Sequence, residues 1–155
     1  MIRPATAADA PALAALWNPW ITQTAITFTA IPKTADDVAR MIATRPAFFT
    51  TDGITGFATY GQFRGGDGYA TCMEHTVILA PDARGAGLGR ALLTAVEDHA
   101  RTQGAHQMIA GISAENPAAV HFHAALGYSE TARIAQAGFK FNRFIDLVLM
   151  QKLLR

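Results

Sequence analysis

A chain of 155 residues, half of them hydrophobic, is long enough for one domain with a sizeable core, here taken as residues 1–155. Its 13 Lys+Arg against 12 Asp+Glu leave a net charge of +1, which argues against a nucleic-acid binder held by bulk charge. The single cysteine, Cys72, excludes an internal disulfide framework and fits a cytoplasmic setting. "MIRPATAADA" contains no signal-peptide core, and no apolar run, Leu147 to Met150 included, is long enough to span a bilayer. Neither nucleic acid nor membrane is expected as a partner.

In chain order, "MIRPA" reads as a short first strand ended by Pro4. Thr6 can cap a helix reaching about Trp20, with Asp9 in its first turn and an apolar stripe of Leu13, Leu16, Trp17 and Trp20. "TADDVARMIATR" is the second helix, opened by a Thr34–Asp37 capping-box pattern. "AFFTT" and "ITGFATYGQF" flank Asp52-Gly53, a hairpin signal. "RGGDG" is a loop, and "YATCMEHTVIL" a long strand. A helix from about Gly87 to Gln103 follows, with Leu88, Leu92, Val96 and His99 at helical spacing and Gly104 as its stop. "AHQMIAGIS" is a strand. Asn116-Pro117 opens a helix that stops at Gly127, since asparagine caps and proline suits the first helical position. "YSETARIA" and "FNRFIDLVLMQKLL" supply the last two strands. The order β-α-α-β-β-β-α-β-α-β-β predicts a mixed α/β layer domain, not a uniform βαβ alternation.

The chemistry concentrates in "PDARGAGLGRALL", Pro81 to Leu93. A strand, a short loop and then a helix N-terminus make an anion site, because unpaired N–H groups and the helix dipole both favour negative charge. Glycines let a diphosphate approach the backbone, and Arg84 and Arg90 add charge at either end. No Gly-Lys-Ser/Thr follows, so the loop is not a P-loop. Arg90 stands where a dinucleotide fingerprint needs glycine or alanine, and no acidic residue lies about twenty positions on for a ribose. A glycine turn that merely packs helix on sheet stays open as the plain alternative.

Arg84-x-x-Gly87-x-Gly89 resembles the acetyl-CoA pyrophosphate loop of the GNAT N-acetyltransferases. "IRPAT…DAPALAALWN", "TFTAIPKT", "MEHTVILAPDARGAGLGRALL", "SAENPAAVHFHAALGY" and "GFKFNRFIDLVLMQK" together resemble the phosphinothricin/methionine-sulfoximine branch, over nearly the whole chain. The resemblance implies a mostly antiparallel twisted sheet, splayed at the cofactor site, with helices on both faces. It implies acetyl-CoA as co-substrate and no metal. Val77, Ile78 and Leu79 would offer backbone groups to the pantetheine arm. The amides of Gly85, Ala86, Gly87, Leu88, Gly89 and Arg90 would hold the pyrophosphate beside Arg84. Asn116 would bond the pantetheine region, in competition with a plain N-cap role.

Acetyl transfer needs a group that takes the amine proton and a route to protonate the leaving thiolate. Glu74 is the resemblance's general base, directly or through water; an acid on an apolar strand is costly unless used or paired, and the bland reading is a strand-edge carboxylate. His123 lies two helical turns after Asn116 and stands where many GNAT enzymes carry a tyrosine that acts as general acid toward the thiolate, "His123-Ala-Ala-Leu-Gly-Tyr128", a role the resemblance passes to His123. Its bland reading is a histidine packed between helix and sheet. His75 points to the sheet face opposite Glu74. His121 faces away from His123, and His99 and His106 read as structural or exposed. No spacing resembles a zinc site, and Cys72 reads as a strand residue.

For the acceptor, the branch carries "F-R-x-R-x-A-Y-R". This chain reads Phe63-Arg64-Gly65-Gly66-Asp67-Gly68-Tyr69-Ala70. Arg64 and Tyr69 remain as substrate candidates, while Gly66 and Ala70 replace two arginines suited to a carboxylate. Phe28 is a candidate pocket residue or a core aromatic. "GFKFNRF" matches a segment that in the branch reaches a partner subunit, which makes Lys140 and Asn142 candidate contacts in a homodimer. The expected activity is N-acetylation of a small primary amine, an L-amino acid or analogue, by direct attack in a ternary complex. The alternative is a non-catalytic acyl-CoA-binding sensor on the same fold.

Overall fold

A computed structural model describes residues 1–155. The elements are β1 (Ile2–Pro4), α1 (Ala10–Gln23), α2 (Ala35–Thr44), β2 (Ala47–Thr51), β3 (Gly56–Gln62), β4 (Cys72–Leu79), α3 (Leu88–Thr102), β5 (Gln107–Ser113), α4 (Pro117–Ala125), β6 (Ser129–Lys140) and β7 (Arg143–Leu153). They follow the predicted order. The seven strands form one sheet in the order β1-β2-β3-β4-β5-β7-β6. Every neighbouring pair is antiparallel except β4–β5.

The parallel pair is short. Only Cys72, Met73 and Glu74 register with Gln107, Met108 and Ile109. Beyond Glu74 the two strands part, while β4 stays paired with β3 as far as Leu79 and β5 with β7 as far as Ser113. The sheet therefore opens into a V that is rigid on both sides.

Each face of the sheet carries its own core. On one, Leu13, Trp17 and Ile21 of α1 and Val38 of α2 pack on Phe48, Phe57 and Ile78. The Phe57 ring lies 4.9 Å from Trp17 and 5.1 Å from Phe48. On the other, Leu92, Leu93, Val96 and Ala100 of α3 pack on Ala58, Tyr60, Met108 and Ala110, with Phe122 of α4 against the edge. Each large apolar side chain so buried contributes about 1.5–3 kcal/mol. No helix is long and apolar enough to cross a membrane.

Local signals act where they were read. Thr34 and Asp37 form a reciprocal capping box, and Asn116 caps α4 by accepting from the Ala119 N–H. The larger differences lie at three places. α1 runs to Gln23, three residues past Trp20, and the Thr6–Asp9 box opens a single 3-10 turn before it. β4 begins at Cys72 rather than Tyr69, because Asp67–Tyr69 form another 3-10 turn after the glycines. β6 extends to Lys140 rather than Ala135, and Phe141 and Asn142 are the hairpin turn, at φ of 50° and 57°.

A buried polar link ties α3 to Tyr128 and to β7 on the same face of the sheet. Glu97 is 5% exposed, accepts from the Tyr128 hydroxyl at 2.8 Å and pairs with Lys152 at 2.7 Å. Removing the carboxylate orphans that hydroxyl and a partly buried ammonium. Glu97→Ala should cost about 2 kcal/mol of stability, read as a lower urea midpoint with unchanged acetyl-CoA affinity.

Candidate active site

The parted strands, the loop before α3 and the N-terminal part of α4 enclose a cleft of about 630 Å³. At its outer end lies the glycine loop. Gly85 and Gly87 have φ of 83° and 78°, and a Cβ on either would meet nothing within 4 Å. The left-handed backbone requires glycine there, and open space lies where side chains would stand. No side chain caps the first turn of α3, so its N–H groups stay available. Arg84 and Arg90 border the cleft, Arg84 stacked 5.1 Å over the Trp20 ring. These are the requirements of a diphosphate site, and the residues present fit one.

Gly89 serves a different need. A Cβ there would come within 3.2 Å of the Phe122 ring and 3.3 Å of Leu79, so this glycine lets α3 and α4 approach β4. The side chains of Ala86 and Leu88 do not border the cleft; only their backbone could contribute. Val77, Ile78 and Leu79 line the wall. The Leu79 carbonyl accepts from Trp20 Nε1 at 3.1 Å, and the Ile78 side chain belongs to the α1–α2 core. Asn116 also borders the cleft. Its two proposed roles use different atoms: Oδ1 caps the helix at 3.3 Å, and the amide nitrogen makes no intramolecular bond.

Glu74 stands at the apex of the V, on the last residue pair before the strands separate. Its carboxylate leans over Gly111, where a Cβ would lie 2.7 Å from Oε2. No side chain donates a hydrogen bond to it. Burial pushes its carboxyl pKa up, and the charge of Arg45 partly opposes that. Cys72, two residues earlier, has its thiol pKa raised by burial and then by Glu74, the reverse of what a covalent nucleophile needs.

His123 is turned inward. It is 3% exposed; Nδ1 lies 2.7 Å from the Ala119 carbonyl and Nε2 lies 3.1 Å from His75 Nε2. The two rings stack at 5.0 Å, with Tyr128 edge-on to both. A carbonyl only accepts, so Nδ1 of His123 carries a proton. In the neutral ring Nε2 is then an acceptor, and the His75 Nε2–H must donate to it. His75 Nδ1 is left as a buried acceptor with no partner. Burial first, and the neighbouring His123 second, bring the His75 pKa down to about 3; burial lowers that of His123 also. His123 is packed with both ring nitrogens engaged, and it also borders the cleft beside His75. Nothing in the sequence pairs His75 with His123, because 48 residues and two elements separate them.

The acceptor candidates are redistributed. Phe28 borders the cleft and lies on Gly138, where a Cβ would be 2.5 Å from its ring. Arg64 and Tyr69 are exposed, with the Arg64 guanidinium 5.5 Å over the Tyr69 ring, and they do not border this cleft. Lys140 is turned into its own chain. It is 4% exposed and donates to the Thr27 carbonyl of its own chain at 2.8 Å, so its ammonium is not free to reach a partner. Asn142 sits exposed at the hairpin tip.

A sheet split beside a diphosphate loop, with a burial-shifted carboxyl at the apex, defines an acyl-transfer class of enzyme. The chain belongs to the acetyltransferase (GNAT) family, whose profile matches residues 15–128. It is 39% identical to the L-amino acid N-acyltransferase MnaT of Escherichia coli, over 97% of this chain and 91% of that protein. It is 36% identical to a Salmonella typhimurium L-methionine sulfoximine/L-methionine sulfone acetyltransferase, over 97% and 92%. A Salmonella typhimurium acetyltransferase solved with its cofactor acetyl-CoA superposes with a TM-score of 0.94 at 34% identity, covering 100% of this chain and 94% of that one.

Two outcomes follow from this geometry. Gly87→Val forces a branched side chain into a left-handed backbone and into the loop's open space. It should weaken acetyl-CoA binding at least about tenfold, since strain of this kind costs roughly 1–3 kcal/mol, measured by calorimetry. The folded-state pKa of His75 lies below its unfolded value of about 6.5. The unfolded chain therefore takes up more protons in acid, and stability should decline as pH falls below that value. His75→Phe should flatten the fall in melting temperature between pH 7 and pH 5.

Proposed function

We propose that the protein is an acetyl-CoA-dependent N-acetyltransferase acting on the primary amine of an L-amino acid or close analogue. The observation that carries this reading is Glu74: a carboxyl with a raised pKa, free of hydrogen bonds, at the apex of the split sheet. When bound, acetyl-CoA supplies an electrophilic thioester carbonyl. The loop amides from Gly85 to Arg90, flanked by Arg84 and Arg90, hold its pyrophosphate. The gap-facing backbone of Val77 to Leu79 and the Asn116 amide nitrogen hold the pantetheine arm. Glu74, directly or through a water, accepts the amine proton so that a neutral nitrogen attacks. A raised carboxyl pKa narrows the gap to an ammonium and makes that transfer less uphill.

His123 and His75 form the wall opposite Glu74. In the neutral pair neither has an N–H aimed at the cleft, so we assign them to holding α4 against β4. The leaving alkyl thiolate, like that of a free cysteine with its pKa of about 8.5, is mostly protonated at equilibrium near neutrality and can take its proton from water. The relatives named for L-amino acids and for methionine sulfoximine and sulfone support a small zwitterionic acceptor. We further infer a cytoplasmic homodimer. Phe139, Phe141 and Phe144 are each about half exposed or more on the β6–β7 hairpin, and such a patch asks for a cover.

A thiol-release assay with acetyl-CoA across free amino acids and amines tests the activity; tight acetyl-CoA binding without release by any amine would favour the sensor. Glu74→Gln should reduce kcat/KM by about 10²-fold or more and leave acetyl-CoA affinity unchanged. In the unsubstituted enzyme the base form is lost as pH falls through the raised pKa. The acid limb of kcat/KM should therefore lie above the ordinary glutamate range, and Glu74→Gln should abolish it. Equal turnover by both proteins at every pH would remove Glu74 from the mechanism.

A further inference from the structure

The loop that would be expected to hold a substrate carboxylate does not border the cleft; an arginine from a different element, itself just outside the cleft lining, brings its charge within reach of Glu74. Arg45 is the first residue after α2. Its guanidinium lies over Gly61, where a Cβ would be 2.7 Å from Nη1 and 3.5 Å from Cζ. Gly61 is the register partner of Glu74 in the β3–β4 pair. Partners in an antiparallel pair present their side chains to the same face. The guanidinium and the Glu74 carboxylate therefore share the face covered by α1 and α2. The carboxylate leans away toward Gly111 on β5, so the two charges flank β4 on either side. They form no ion pair, although the field of Arg45 reaches the Glu74 carboxyl.

Arg45 is also unspent. Arg3, Arg40, Arg101, Arg133 and Arg143 each have a carboxylate partner, and Arg45 has none. It is half-buried, with the strand beneath it cleared of side chain by a glycine. A half-buried guanidinium without an anion favours one of matching fork geometry.

Resting on the N-acetyltransferase reading above, we propose that Arg45, laid over Gly61, is the anchor for the acceptor's α-carboxylate and so selects free amino acids over amines that lack one. The two charges lie on opposite sides of β4 on one face, so a zwitterion laid across that strand meets both signs. With the carboxylate on Arg45, the amine is delivered to Glu74.

The test compares L-methionine sulfone with its carboxamide as acceptors in the thiol-release assay. The unsubstituted enzyme should turn over the free acid with a KM at least tenfold lower than the carboxamide. Arg45→Ala should raise KM for the acid tenfold or more, with kcat, KM for the carboxamide and acetyl-CoA affinity each within about twofold. Arg45→Lys should recover part of the loss. Gly61→Val, which displaces the guanidinium without removing it, should act in the same direction. Equal losses on both acceptors would overturn the anchor, and so would no loss on the acid. An enzyme that prefers the carboxamide would overturn it while leaving the acetyltransferase reading intact. Release by no amine at all would sink both.

Discussion

The separation of β4 from β5 after three residue pairs is the constraint on which the rest of this molecule depends. Parallel strands normally stay paired, because each unpaired N–H or C=O must find another partner. Here both strands keep their outer partners to the end, β3 for one and β7 for the other. The inner edges therefore become a rigid, hydrogen-bonding wall. A peptide-like arm can bond to that wall without the protein rearranging. The helix that follows β4 starts beside the opening, so one split supplies both an amide-lined wall and an anion-binding terminus.

Two independent cores hold the split open. The α1–α2 core grips β2, β3 and the outer part of β4, and the α3 core grips β3, β5 and β7. Trp20 reaches across to the Leu79 carbonyl and fixes the tip of β4. On the other side, Gly89 lets Phe122 sit against α3 and Leu79. Glycines recur wherever a functional side chain needs room on the sheet: Gly111 under Glu74, Gly61 under Arg45 and Gly138 under Phe28. They clear the α1–α2 face above the gap, the side from which an acceptor can approach.

Local rules make much of this legible in the sequence. The Thr34–Asp37 box, the Asn116-Pro117 start and the Gly104 stop act over three or four residues, and each stands where it was read. Glu74 stood out as an acid on an apolar strand, and the loop as an uncapped helix start. What escaped was set at a distance. Gly138 to Lys140 become strand only because β7 pairs with them across a hairpin. Lys140 is consumed by a carbonyl 113 residues away. The His75–His123 contact joins a strand to a helix on a face that alternation alone identified but could not populate.

The misplaced arginine is the instructive case. Carrying residues across a resemblance position by position assumes that a charge stays on the element that bears it. A sheet face does not enforce that. A point above Gly61 can be reached from the loop before β4 or from the end of α2, and a long flexible guanidinium serves from either. Loss of arginine at positions 66 and 70 therefore does not by itself remove a cationic subsite. The sequence showed only that the expected positions were empty of arginine. The fold shows that Arg45, just ahead of β2 at the same end of the sheet as that loop, stands within electrostatic reach of Glu74 without neutralising it. Had the two formed a close ion pair, the guanidinium would have lowered the carboxyl pKa and spent the positive charge. Kept apart on either side of β4, each retains its charge-binding capacity for a zwitterion that presents both signs.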